Sequence, residues 1–479
     1  MITRLTSVSA RLLPLTALLL AACASTPPQQ GSVPLVPSNP WQAPVPQVPG
    51  GTNMTSWWTQ FNEPELPALV SAAQQASPTL ASARARVERA RAARAAAGAA
   101  AWPQVNAVGN TTSGRSVPGA PTATSLSLGA QAAWELDLFG AVAAGRNAAQ
   151  ARLLGAQAAL QGAHTSVAAE VASNILALRA CEAQAAQTRV DASSREQTAR
   201  LTDQSARAGF TAPADAALAR AGAAQARSQL LSSLAQCDAL LKSLVELTDM
   251  AEPALRQRLA AGTARVPQPA PLAVDALPAQ LLARRPDLAD AAQAVVAAAS
   301  DRDQSRAREG LQVSLSGSLA VASLRTAGVT TNGNTWTLGP LVVSFPLFDG
   351  GARAANTAAA QAGYDEAVAQ YRAQFRRAVR EVETALVDLD ATARRELDAV
   401  AAARDFESSL RATEARQKGG LASLFDLEAA RRNAVQAQSA LIDLQRERAA
   451  AWIALYRALG GGWQATATSA VTTTAQVQP

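Results

Sequence analysis

Histidine is nearly absent, cysteine is scarce, and aromatic residues make up only 4% of the 479 residues. Each shortage excludes something. One histidine, His164, and three cysteines form no metal-spaced Cys/His cluster, and neither a P-loop nor a nucleophile elbow occurs. His164 lies mid-helix in the pattern below, where a packed or solvated ring is the expectation rather than a catalytic base. The chain therefore reads as a non-enzyme with no metal and no soluble cofactor. Hydrophobic content is 48%, but alanine supplies much of it. A globular core of that size would use more large side chains, whereas alanine-rich, charge-studded sequence suits long helices whose backbones approach closely. The net charge is only +6 and spread along the chain, which leaves no nucleic-acid footprint. Proline is missing from Ala141 to Ala208 and again between Pro346 and Pro479.

What is present begins with an export signal. Arg4 and Arg11 form a basic start, Leu12 to Leu20 an apolar segment, and Leu20-Ala21-Ala22-Cys23 matches a bacterial lipoprotein box. The apolar segment is too short to span a bilayer as a mature helix. Residues 1–22 are expected to be removed and the Cys23 thiol to carry diacylglycerol, a covalent lipid rather than a cofactor. Ala24 is not the aspartate that marks inner-membrane retention, which favours the outer membrane. Residues 23–55 are rich in Pro, Gln, Ser and Val, an extended lipidated linker.

Between Pro103 and Phe139 the hydrophobic period changes to two. Leu126, Leu128, Ala130, Ala132, Trp134, Leu136 and Leu138 alternate with polar or small residues. That alternation outruns a typical soluble strand and reaches the length needed to cross an outer membrane at a tilt. A weaker partner covers Gln104 to Thr112. The pattern also fits a soluble hairpin lying on a helix. Alternation returns at Leu311, Val313, Leu315, Gly317, Leu319 and Val321. A Thr/Gly/Asn loop is expected next, then a strand from Trp336 to Phe348.

Ala141 to Ala208 would be about 100 Å long as a helix. The sequence Gly209-Phe210-Thr211-Ala212-Pro213 turns the chain back through a second helix to about Thr248, giving a coiled-coil hairpin. Cys181 lies 28 residues before Gly209 and Cys237 lies 28 after it. Antiparallel helices folding there bring the two together, either as a disulfide or as two buried thiols. A connector, 251–279, leads to Arg284-Arg285-Pro286-Asp287. From there the order repeats. Pro286 corresponds to Pro78 at an offset of 208, Gly350 to Gly140 at 210, and Gly420 to Gly209 at 211. The expected organisation is repeat 1 over 56–250 (strands about 103–139, helices about 141–248) and repeat 2 over 280–463 (strands about 311–348, helices about 351–459), with a disordered tail at 464–479.

Four strands cannot close a barrel, and open edges are not tolerated in lipid. Three copies would supply twelve strands and a lumen. Trp57-Trp58, Trp134-Glu135-Leu136-Asp137-Leu138-Phe139-Gly140, Arg284-Arg285-Pro286-Asp287, Pro346-Leu347-Phe348-Asp349-Gly350-Gly351 and Ala458-Leu459-Gly460-Gly461-Gly462-Trp463, with the box at Cys23, resemble the TolC/OprM-type outer membrane factor family, in particular its NodT-type lipoprotein branch. The resemblance implies an α+β membrane protein. It would be a homotrimer whose 12-stranded outer membrane β-barrel continues into a 12-helix periplasmic α-barrel. It also implies a passive exit duct in the outer membrane, partnered by a periplasmic adaptor protein and an inner-membrane resistance-nodulation-division transporter, for drugs or other small molecules. The same fold could serve type I protein secretion or export of aromatic acids or metal ions. A poreless periplasmic coiled-coil lipoprotein is the reading from another class.

In that family the helix turns meet the adaptor, which here implies Gly209, Phe210, Thr211 and Ala212 with Gly419, Gly420, Leu421, Ala422 and Ser423. Ala212 stands where a serine is common. Asp215 and Asp426 each follow their glycine by six residues, and Glu428 stands beside Ala429, the position of a family aspartate. These three are gate candidates, either an acidic constriction or, for the two aspartates, helix-start residues favoured by the helix dipole.

Overall fold

The computed structural model describes residues 41–44, 61–115, 117–269 and 285–461. The signal peptide, Cys23, Trp57-Trp58, Arg284, Trp463 and the tail lie outside them. The described chain divides into two compact units. One holds Ala85–Gln157 and Asp290–Arg372, and the other holds the remaining described residues.

The element order is α1 (Leu66–Ala76), α2 (Pro78–Ala99), β1 (Gln104–Gly114), β2 (Ala123–Leu136), α3 (Ala141–Arg207), α4 (Pro213–Thr248) and α5 (Glu252–Leu259). There follow α6 (Pro286–Ala307), β3 (Gln312–Thr326), β4 (Val329–Ser344), α7 (Ala352–Lys418) and α8 (Leu424–Ala458). Element lengths recur. The helices α2 and α6 both have 22 residues, α3 and α7 both have 67, and α4 and α8 have 36 and 35. Pro78 opens α2 at a position where its missing N–H costs nothing, and the Ser77 hydroxyl accepts the Leu80 N–H at 3.3 Å.

In the first unit the strands form one antiparallel sheet in the order β1-β2-β3-β4. Its register sorts the side chains onto two faces. Leu128 lies opposite Gly109 and Val321, Ala130 opposite Ala107 and Leu319, and Trp134 opposite Leu315. With Trp336, Leu338, Leu341 and Val343 of β4 they make one apolar face. The other face carries Asn106, Ser127, Gln131, Ser318 and Thr337. The apolar face is bare within the chain: Leu338 is 80% exposed, Trp336 75% and Leu128 69%. Among the described residues, β1 and β4 each pair on one side only.

One expectation needs correction. The Thr/Gly/Asn loop is part of the strands, because β3 runs to Thr326 and β4 starts at Val329. The turn is only Ala327-Gly328, with φ of 51° and 84°, the two positive values a two-residue hairpin requires. A register shift between Leu315 and Gly317 moves the apolar face from even to odd positions in β4, so the alternation changes phase beyond Pro340. The start of the connector carries a short helix. Pro253 sits in the first turn of α5, and Leu255 and Leu259, one helical turn apart, are both buried.

The second unit is built on the helical seams. Val167, Val171, Ile175 and Leu178 of α3 are all buried. So are Leu241 and Leu244 of α4, Val382, Leu386 and Leu389 of α7, and Leu444, Trp452 and Leu455 of α8. Spacings of three and four place these residues on one stripe per helix, so packing rather than propensity holds the hairpins together. No described helix is long and apolar enough to cross a membrane.

Candidate functional site at the helix turns

Each hairpin reverses at a glycine with positive φ, Gly209 at 81° and Gly420 at 73°. A side chain at either position would strain the turn. At the first turn Phe210 N–H returns to Ser205 O at 2.9 Å, and at the second Leu421 N–H returns to Arg416 O at 2.8 Å. Both satisfy carbonyls left open by a helix end. The residue after each glycine is thrust outward: Phe210 is 86% exposed and Leu421 74%.

The turns differ in what starts the next helix. Ala212 occupies the N-cap of α4 with extended backbone and no side-chain acceptor, so Asp215 in the first turn acts through its charge alone. Ser423 caps α8 with a reciprocal capping box, its hydroxyl accepting Asp426 N–H while Asp426 accepts Ser423 N–H at 2.9 Å. The Ser423 backbone N–H and hydroxyl hold the Asp426 carboxyl below the usual carboxylate range. Asp426 is thus occupied within its own turn. Glu428 faces elsewhere. It accepts the Thr198 hydroxyl of α3 at 2.6 Å and Arg431 at 3.2 Å, and Arg431 also reaches Glu414 of α7 at 3.2 Å. The structure therefore brings Glu428, and not Asp215 or Asp426, onto the boundary between the two hairpins.

Cys181 and Cys237 form a disulfide between α3 and α4, with Cα atoms 5.6 Å apart. His164 is half-buried, and burial together with nearby Arg84 keeps its pKa below the ordinary value, so it stands neutral. Among the described residues no group of three or more His, Cys, Asp or Glu side chains could hold a metal.

Two buried arginines pin the roots of the hairpins. Arg179 of α3 is fully buried and holds Glu63 through two bonds of 3.1 Å, Glu182 at 3.1 Å and Leu259 O at 2.8 Å. Arg285 binds Asp287, Glu381 of α7 at 2.7 Å and Ala458 O at the end of α8 at 2.9 Å. Arg179 was legible only as an anomaly. It stands four residues after Ile175, where the apolar seam calls for a hydrophobic side chain.

The model of the outer membrane efflux protein family matches residues 69–249 and 277–461. The chain is 32% identical to the outer membrane protein OprJ of Pseudomonas aeruginosa over 343 residues, 69% of this chain and 68% of that one. It is 29% identical to the pyoverdine export outer membrane protein OpmQ of the same species, over 93% of this chain and 95% of that one. The solved outer-membrane channel OprN shares its fold with a TM-score of 0.78 at 24% identity, covering 90% of this chain and all of that one.

Proposed function

Because the chain belongs to the outer membrane efflux protein family, we propose that it is the outer membrane exit duct of a tripartite efflux system. It would passively release drugs or other small molecules that an inner-membrane resistance-nodulation-division transporter and a periplasmic adaptor deliver. One observation carries this reading. A sheet with one apolar and one polar face and two open edges stands on the same chain as helices of 67 residues too polar to enter lipid. Open edges at membrane depth must be paired. Three copies joined β4 to β1 give twelve strands, with the apolar face to lipid and the polar face to a water-filled lumen. A poreless spacer has no use for such a sheet.

In this reading Cys23 carries the lipid that anchors the linker to the outer membrane. The exposed Phe210 and Leu421, with their neighbours in turns 209–212 and 419–423, form the adaptor-docking tips. The periplasmic gate lies at the same end. Asp215 and Asp426 add negative charge there, and Glu428 holds the second hairpin to the first through Thr198. Opening requires that bond to break.

Single-channel recording from purified protein in a planar bilayer tests duct and gate together. The wild-type chain is expected to migrate as a heat-resistant trimer and to give small, rare conductance steps. Glu428→Ala and Thr198→Val should raise the frequency of large steps several-fold. A chain that never conducts, or variants indistinguishable from wild type, would remove the pore or the latch respectively.

A further inference from the structure

From Gln104 to Trp134 and from Leu311 to Phe348 the sequence carries only two charged side chains, Arg115 and Arg325. The register puts Arg325 on the apolar face of the sheet, and a hydrogen bond to Thr122 ties Arg115, one residue past the end of β1, to the same side. Arg325 lies opposite Thr124 of β2 and Thr330 of β4, in the series that continues through Val321, Leu319 and Val313. Arg115 follows the last residue of β1, and its Nε donates to the Thr122 hydroxyl at 3.3 Å, on the even-numbered side of the β2 chain that carries Leu126 and Leu128. Both arginines therefore belong to the apolar, lipid-directed face. Both stand at the end of the sheet farthest from the strand-to-helix junctions at 137–141 and 345–352. Among the described residues neither makes an ion pair, and both side chains are exposed.

Their height on the sheet identifies what they meet. Arg325 follows Val313 by twelve residues along β3. That is about 40 Å along a strand and about 30 Å of height at the usual barrel tilt. An apolar band of about 25 Å ends below it. The side chains sharing its level, Ser113, Thr124 and Thr330, all carry hydroxyls. Arginines on the lipid side of a strand are costly inside the hydrocarbon and tolerated at its boundary. Neutralising a guanidinium there takes phosphate, which it can bind with two parallel N–H donors.

Resting on the outer membrane location of the chain, we infer that Arg115 and Arg325 form a binding site for a phosphorylated glycolipid of the outer leaflet. They would grip its phosphates while the acyl chains lie along Leu126, Leu128, Leu319 and Val321. The hydroxyl-bearing side chains around them offer donors and acceptors to the sugar, which a phospholipid such as phosphatidylethanolamine lacks.

The test uses the full chain purified in detergent, incubated with a diphosphorylated acyl-glucosamine disaccharide (the lipid anchor of lipopolysaccharide), repurified and analysed for bound glycolipid by native mass spectrometry. Wild type and R115K/R325K should retain it. R115Q/R325Q, folded by circular dichroism, should retain about tenfold less. Phosphatidylethanolamine, tested alongside, should show no difference between the variants. Equal glycolipid retention by the glutamine variant overturns the site, as does complete displacement of the glycolipid by 10 mM inorganic phosphate, which would identify a free-anion site instead. Membrane fractionation separates this failure from that of the premise, since a chain absent from the outer membrane fraction overturns the location itself.

Discussion

The two helical hairpins have nearly equal lengths and are secured by opposite means. The first, α3 with α4, is tied covalently toward its root by Cys181–Cys237 and turns without a side-chain cap at Ala212. The second, α7 with α8, has no disulfide but turns through the Ser423–Asp426 capping box, and reaches the first through Thr198–Glu428. A covalent tie resists any sliding of one helix past the other at its position. A cap secures only its own turn. The contrast assigns rigidity of the stem to the first hairpin and order of the tip to the second, so the polar bonds between them are where a conformational change costs least.

The root arginines offer the largest test. Arg179→Ala removes a guanidinium from two carboxylates and a carbonyl, and among the described residues Arg179 is the ion-pair partner of Glu63, which is 5% exposed. Breaking a buried ion pair on one side costs about 3–5 kcal/mol. Arg285 is also buried, but its partners Asp287 and Glu381 are partly exposed, at 39% and 32% of their side-chain surface. Water can stabilise those carboxylates, so Arg285→Ala should cost visibly less. Urea unfolding of the two variants followed by circular dichroism measures the difference. Equal losses would mean that exposure of the carboxylates does not govern the outcome.

The disulfide comes next. It closes a loop of 56 residues, and removing such a closure from the denatured state costs about 2–4 kcal/mol. Cys181→Ser/Cys237→Ser should lower the melting temperature of the purified chain, and reducing agent should do the same to wild type but leave the variant unaffected. Limited proteolysis sharpens the comparison further. Loss of the tie should expose cleavage sites in α3 and α4, and the pattern in α7 and α8 should stay as in wild type.

Much of this architecture was legible before any coordinates, for physical reasons that can be stated residue by residue. The change of period at Leu126 is unambiguous because every second residue is apolar for more than a dozen positions. Heptad spacing through Phe375, Val382 and Leu389 left no alternative to a buried helical stripe. The equal spacing of Cys181 and Cys237 about Gly209 is a geometric property of antiparallel helices. What escaped is equally instructive. Residues 322–335 were given to a loop because Thr, Asn and Gly are read as turn formers. Here they are ladder residues that pair β3 with β4, and the turn needs only Ala327-Gly328. Arg179 escaped because its partners lie 116 and 80 residues away, at Glu63 and Leu259. The role of Glu428 depends on which face of α8 meets Thr198, which one helix alone does not fix.

The caps give the smallest effects and the cleanest exchange between hairpins. Ser423→Ala should cost about 1 kcal/mol, and Ala212→Ser, at a backbone already extended for capping, should recover about 0.5–1 kcal/mol at the first turn. Asp426 adds a pH signature that only the second turn can have. Its folded pKa lies below the unfolded value of about 3.9, so the capping contribution is complete above that value and disappears as pH falls through the folded pKa. Protection of the amides of 424–428 from hydrogen exchange, taken relative to the intrinsic rate at each pH, should therefore fall below about pH 4 in wild type. Ser423→Ala should show weaker protection at 424–428 already at neutral pH. Unchanged protection across that pH window would mean that the Ser423–Asp426 box does not order the second tip.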